Sequence, residues 1–116
     1  MGLLLSKGSD KVLTNEEGQE YTVEGRSIYI QGTDIELTTI YARMQFTANP
    51  DGKTISVTFK TYASKEMFTL GKELHADIRL APFEFSILDT EEQSLRVALD
   101  YSIVRFKELG YNAEII

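Results

Sequence analysis

The sequence predicts an α+β domain: an antiparallel β-sheet with a long β-hairpin over about residues 34–62 and one long C-terminal α-helix over about residues 90–109 packed on it. Three observations carry this. Apolar residues alternate with a period of two through most of the chain. The turn sequence Asn49-Pro50-Asp51-Gly52 separates two such runs. After Asp89 the period becomes helical, behind the capping sequence Thr90-Glu91-Glu92-Gln93.

Residues 1–20 read as an extended N-terminal arm or loop, and residues 21–116 as a single domain. The arm carries an apolar tip, Leu3-Leu4-Leu5, too short for a signal-peptide core and without a basic flank before it. Met1-Gly2 followed by Ser6 matches the loose myristoylation pattern, but a short apolar arm that packs on its own domain or a neighbour explains it as well. Residues 6–20 are polar; Val12-Leu13 is a short pairing segment within them, and Glu16, Glu17 and Glu20 read as a solvated acidic loop.

Tyr21–Glu24 and Ser27–Gln31 are short β-like runs bounded by Gly25 and Gly32. In the run that follows, Ile35 and Leu37 alternate on odd positions, and Ile40, Ala42, Met44, Phe46 and Ala48 on even ones. The phase slips at Thr38-Thr39, where a bulge or bend keeps both sets facing one core. Beyond the turn, Ile55, Val57 and Phe59 continue on odd positions.

A three-residue loop with a glycine bulge would set the two apolar stripes on opposite faces. A four-residue loop over 49–52 keeps them together, opposing Phe46 to Ile55, Met44 to Val57 and Ala42 to Phe59. Exposing a whole stripe costs more than a turn preference gains, so the second register is expected. The outer face then pairs Gln45 with Ser56, Arg43 with Thr58 and Tyr41 with Lys60. It is polar but lightly charged, suited to water or to another subunit.

Ser64 is placed to cap a single helical turn that Gly71 ends. Leu74, Ala76, Ile78 and Leu80 alternate with His75, Asp77 and Arg79, and Phe83, Phe85 and Ile87 follow on the other parity. Pro82 between them implies one bent strand, or two strands joined there. The helix presents Leu95, Leu99, Ser102, Phe106 and Leu109, widened by Ala98 and Ile103, and stops at Gly110. Asn112–Ile116 is a last short strand.

Twelve basic residues against eighteen acidic ones leave a net charge of −6, with no basic cluster. That argues against nucleic acid and against anionic membrane surfaces as partners. Absence of cysteine excludes disulfides and thiolate metal sites. No apolar run approaches the roughly eighteen residues of a membrane-spanning helix. A soluble protein, cytoplasmic or within a viral particle, is expected.

No phosphate loop, nucleophile elbow or calcium loop occurs, and no cofactor or metal is expected. His75 beside Asp77 is the one general-base candidate, but no nucleophile or oxyanion donor accompanies it. Asp89, Glu91 and Glu92 are accounted for by helix capping.

The reading favoured on these grounds is a non-enzymatic structural or interaction protein, a subunit of a homo- or hetero-oligomeric assembly. Small acidic cysteine-free domains of this type are common in tailed-phage necks, tails and baseplates, an analogy of type that no motif here carries. Its expected partners are copies of itself and a neighbouring assembly protein. The interface candidates are Leu3, Leu4 and Leu5 of the arm, Tyr41, Arg43, Gln45, Ser56, Thr58 and Lys60 of the hairpin face, and Ile115 and Ile116. The alternative is a small ligand- or peptide-binding module with a cavity between the helix face, Leu99 and Phe106, and the sheet. An enzyme centred on His75 comes third.

Overall fold

The computed structural model describes residues 2–78 and 83–116. Its elements run β1 (Gly2–Lys7), β2 (Lys11–Thr14), β3 (Glu20–Val23), β4 (Ile28–Ile30), β5 (Glu36–Leu37) and β6 (Thr39–Ala48). They continue through β7 (Thr54–Tyr62), α1 (Lys65–Thr69), β8 (Ala76–Asp77), β9 (Phe83–Ser86), α2 (Leu95–Glu108) and β10 (Tyr111–Ile115). The fold is α+β. Five strands form the main sheet in the order β10-β1-β6-β7-β9, every neighbouring pair antiparallel. A small sheet has the order β5-β4-β8, and β2 and β3 form a third sheet by themselves.

The core lies between the main sheet and α2. Ala98, Leu99, Ser102 and Phe106 are the buried stripe of the helix, at the spacing that places them on one face. The Phe106 ring meets Phe59 edge-on at 5.3 Å and Phe83 at 5.6 Å. Ser102 sits fully buried in this apolar layer because its hydroxyl donates to the Ala98 carbonyl at 2.7 Å, so no polar group is left unpaired.

The N-terminal segment corrects the arm reading. β1 is an interior strand of the main sheet, between β10 and β6, and Leu3 and Leu5 are 0% exposed. Leu3 opposes Ala42 on one side and Ile115 on the other. The period-two alternation of Leu3 and Leu5 is therefore that of a core strand, completed by the chain's last strand.

In the β6–β7 hairpin the apolar stripes share one face, as the phase requires, and the loop has four residues. It starts one position later than expected, over 50–53, so every pair is shifted by two. Ala48 opposes Ile55, Phe46 opposes Val57, and Met44 opposes Phe59. Side chains select this register. The Asp51 carboxylate accepts from the amides of Lys53 and Thr54 and from the Thr54 hydroxyl, at 2.8 to 2.9 Å. Gln93 Nε2 donates to the carbonyls of Asn49 and Thr54, each at 2.8 Å, clasping the loop from outside.

That bond also explains a shorter helix. α2 has 14 residues and starts behind Ser94, whose hydroxyl accepts from the Val97 amide at 3.3 Å, rather than behind Thr90. Gln93 is engaged with the hairpin, and Glu91 accepts from the Leu88 amide and the Tyr101 hydroxyl. Residues 90–93 thus form a connecting turn. The hairpin itself begins at Thr39 rather than at 34, because Glu36–Leu37 pairs with β4. The phase slip at Thr38-Thr39 marks a change of sheet. The segment around 74–87 likewise splits, β8 joining β4 and β9 joining β7; Arg79, Leu80 and Pro82 lie outside the described residues. The Ser64-capped turn of α1 and the last strand, β10, form as expected.

Candidate interaction site

The outer face of β6–β7 is closed at one end and open at the other. Tyr41 opposes Tyr62, and α1 lays Phe68 over both, with ring centroids 5.7 and 5.2 Å away. The Arg43 guanidinium stacks on Phe68 at 4.7 Å and donates to the Tyr41 hydroxyl at 3.2 Å, a cation–π contact with its charge partly desolvated. A Cβ on Gly2 would lie 2.6 Å from the Tyr41 side chain, so only glycine leaves that ring its place. Tyr41 is consequently 0% exposed and offers nothing to a partner. Gln45, Thr58 and Lys60 remain exposed, Ser56 is half-buried and tied to Asn49, and Lys60 faces Glu73 at 3.7 Å. Of the apolar candidates, Leu3 and Leu5 are in the core, while Leu4, Ile115 and Ile116 are half-buried.

His75 is exposed, and its backbone carbonyl accepts from the Gln31 amide at 3.0 Å. Asp77 opposes Tyr29 and lines a cleft of ≈ 560 Å³ with Arg26, Ser27, Ile78 and Tyr111, and His75 is not among the lining residues. In that cleft, burial raises the Tyr111 hydroxyl above its ordinary value and the Asp77 charge adds to this, while the Arg26 guanidinium opposes both. Among the described residues no three His, Asp or Glu side chains converge as a metal site. The space between Leu99, Phe106 and the sheet is filled by aromatic packing, which corrects the cavity expected there.

The short pairing segment at Val12-Leu13 and the β-like run at Tyr21–Glu24 correspond to strands, and the pairing of the two into one β2–β3 hairpin was not expected from the sequence. Lys11 opposes Val23 and Leu13 opposes Tyr21. The tip is closed by Asn15, whose side-chain oxygen accepts from the amides of Glu17 and Gln19 at 3.0 and 2.9 Å. Val12 is 64% and Tyr21 44% exposed, and these two point to opposite faces. Glu16, Glu17 and Glu20 are exposed around the tip. A lone two-stranded ribbon of this kind is marginal in water, so its support must come from its base.

At the base, three segments cross backbone against backbone. The amides of Gly8 and Arg26 both donate to the Gly110 carbonyl, at 3.2 and 2.8 Å, and Asp10 accepts from the Gly25 amide at 2.8 Å. A Cβ on Gly25 would overlap the Gly8 carbonyl, and one on Gly8 would overlap that of Gly110. Gly110, at φ +100°, has the Glu24 carbonyl 2.5 Å from where its Cβ would stand. The two ends of the hairpin and the turn out of α2 are thus locked together with no room for a side chain. The available signal was the set Gly8, Gly25 and Gly110; in sequence each reads only as a chain breaker.

No protein-family model matches the sequence, and no curated protein or solved structure matches it either.

Proposed function

We propose that the chain is a non-enzymatic structural protein, a subunit of a protein assembly of the kind tailed phages build into necks, tails and baseplates, and that the β2–β3 hairpin is the arm it extends to a neighbouring subunit. The observation that carries this reading is the contrast within the hairpin. Its base is fixed by three interlocked glycines, while Val12 and Tyr21 are left exposed beyond it. Apolar side chains held out from the body on a rigid base do little for the fold and are available for docking. Exposed Glu16, Glu17 and Glu20 would favour a basic seat on the neighbour.

The test replaces residues 11–23 by a two-glycine link and compares the mass in solution of both chains by light scattering over a wide concentration range. The expected result is a defined or concentration-dependent oligomer for the full chain and a species of lower mass, with the helical signal of circular dichroism retained, for the shortened one. A full chain that stays at the 13.1 kDa of a monomer at every concentration overturns self-assembly. The cleft beside Arg26 supports a second reading, a binding module for a small polar ligand: a cation, a carboxylate and two tyrosines line one concave surface. Titration with free amino acids, followed by the NMR shifts of Arg26, Tyr29 and Asp77, tests it; unmoved resonances dismiss it.

A further inference from the structure

We infer that two copies of this chain join through the open edge of β10, antiparallel about a two-fold axis at Ala113, to make one continuous ten-stranded sheet. The inference rests on the assembly reading above and names the partner for one contact, a second copy, at a surface separate from the hairpin.

Among the described residues, β10 is the outermost strand of the main sheet. Its ladder with β1 fixes which backbone groups are spent. Gly2 and Ile116 exchange both of their N–H···O bonds, at 3.4 and 3.1 Å, and the Gly8 amide donates to the Gly110 carbonyl. Hydrogen-bonded pairs alternate along an antiparallel ladder. Asn112 and Glu114 therefore direct their backbone groups to Ser6 and Leu4. Tyr111, Ala113 and Ile115 direct theirs to the open edge, as a ready template for another strand.

The same parity restricts the register, since edge-facing residues must oppose edge-facing residues. Centring the pair on Ala113 engages the whole strand. Tyr111 opposes Ile115 of the second copy on the α2 side of the sheet, and Asn112 opposes Glu114 of the second copy on the other side. Apolar meets apolar, and an amide donor meets a carboxylate. Moving the centre to Glu114 sets two carboxylates face to face. Moving it to Asn112 places Ile115 opposite Leu109, which caps α2 and is not in a strand. Centring on Tyr111 or Ile115 pairs fewer of the strand's residues, so only the register centred on Ala113 is self-complementary over the full length of β10, as an isologous interface needs. The middle of the edge is accessible: Ala113 and Ile115 are half-buried rather than buried, and a groove of ≈ 360 Å³ opens beside Asn112, Ala113 and Glu114.

The decisive variant is Ala113→Pro in the full chain. Proline removes an N–H that faces the open edge and leaves the bonds to β1 intact, a setting in which a strand accepts it. The expected result is a parent chain whose mass by light scattering is that of a dimer or a multiple of it, and a halved mass for Ala113→Pro, with unchanged circular dichroism. Should that variant fail to fold, Asn112→Glu and Asn112→Lys decide. Both lose the same contact within the monomer, but in the dimer the first sets Glu against Glu114 twice and the second sets Lys against it twice. Their dimer dissociation constants should lie on opposite sides of the parent's and differ by roughly tenfold. Equal shifts overturn the edge. An oligomer whose mass is unchanged by Ala113→Pro overturns the edge and leaves the assembly reading standing. A monomeric parent chain at all concentrations overturns both.

Discussion

The main sheet and the β2–β3 hairpin are both antiparallel, yet different forces hold them. The main sheet is held by its side chains. Leu3, Ile40, Ile55, Val57, Leu99 and Phe106 are all 0% exposed, and each contributes roughly 1.5–3 kcal/mol by leaving water. The hairpin has no such residue and is held at its base by backbone contacts among glycines. Burial fixes the first; the second is fixed by the absence of side chains. The contrast predicts which substitutions each region tolerates.

The largest effect belongs to the body. Phe106→Ala removes the ring that Phe59 and Phe83 both meet edge-on and opens a cavity under the sheet. It should cost about 3–5 kcal/mol, read from the midpoint of urea unfolding at unchanged slope. A loss under about 1 kcal/mol would mean that α2 is not the main cover of the sheet.

Next comes the base of the hairpin. Gly25→Ala places a methyl group on the Gly8 carbonyl, which is backbone and has no rotamer to turn away. A cost of roughly 1–3 kcal/mol is expected. The amides of Gly8 and Arg26 should also exchange faster, since both bond to the Gly110 carbonyl at the same crossing. Gly18→Ala at the hairpin tip tests the distinction: it meets nothing within 4 Å, and only its φ of +80° opposes it. Its penalty should come from backbone conformation alone and leave the base amides unchanged.

A smaller, pH-dependent effect separates the β6–β7 turn from both. Hydrogen bonds from the amides of Lys53 and Thr54 lower the Asp51 carboxyl below its ordinary value, and the Thr54 hydroxyl adds to this. A lowered carboxyl contributes stability that is present above its unfolded value, near pH 4, and is lost as the pH falls through the folded value. The amides of Lys53 and Thr54 should therefore lose protection on acidification below about pH 4, and Asp51→Asn should remove that dependence. An unchanged profile in Asp51→Asn would show that the turn is set by Gln93 alone.

The sequence made the body legible and the base of the hairpin opaque, for a physical reason. Period-two runs such as Ala42, Met44 and Phe46, and the helical stripe Leu99, Ser102 and Phe106, express burial directly, so the α+β class and the core faces could be read. The loop position depended on Gln93, which is 44 residues from Asn49, and the helix start depended on the same side chain. Leu3-Leu4-Leu5 alternates too briefly to be told from a free apolar tip; only its pairing with both β6 and β10 makes it a core strand. The meeting of Gly8, Gly25 and Gly110 leaves no periodic trace at all, because it is a tertiary contact between residues with no side chains. The candidate interaction site therefore fell outside what periodicity could reveal.

The smallest effect on stability should come from the exposed faces of the hairpin, and it is the most informative for function. Val12 and Tyr21 are 64% and 44% exposed, so Val12→Ser with Tyr21→Ser removes little buried area and should shift stability by no more than about 0.5 kcal/mol. If the hairpin docks on a neighbour, these two apolar side chains are its anchor, and anchors of that kind carry a disproportionate share of binding energy. The double variant should then assemble at least tenfold more weakly while melting at the temperature of the parent chain. A variant that assembles as the parent does and melts several degrees lower would reverse the assignment: Val12 and Tyr21 would be stabilising the ribbon itself, and the hairpin would be part of the fold rather than an arm extended from it.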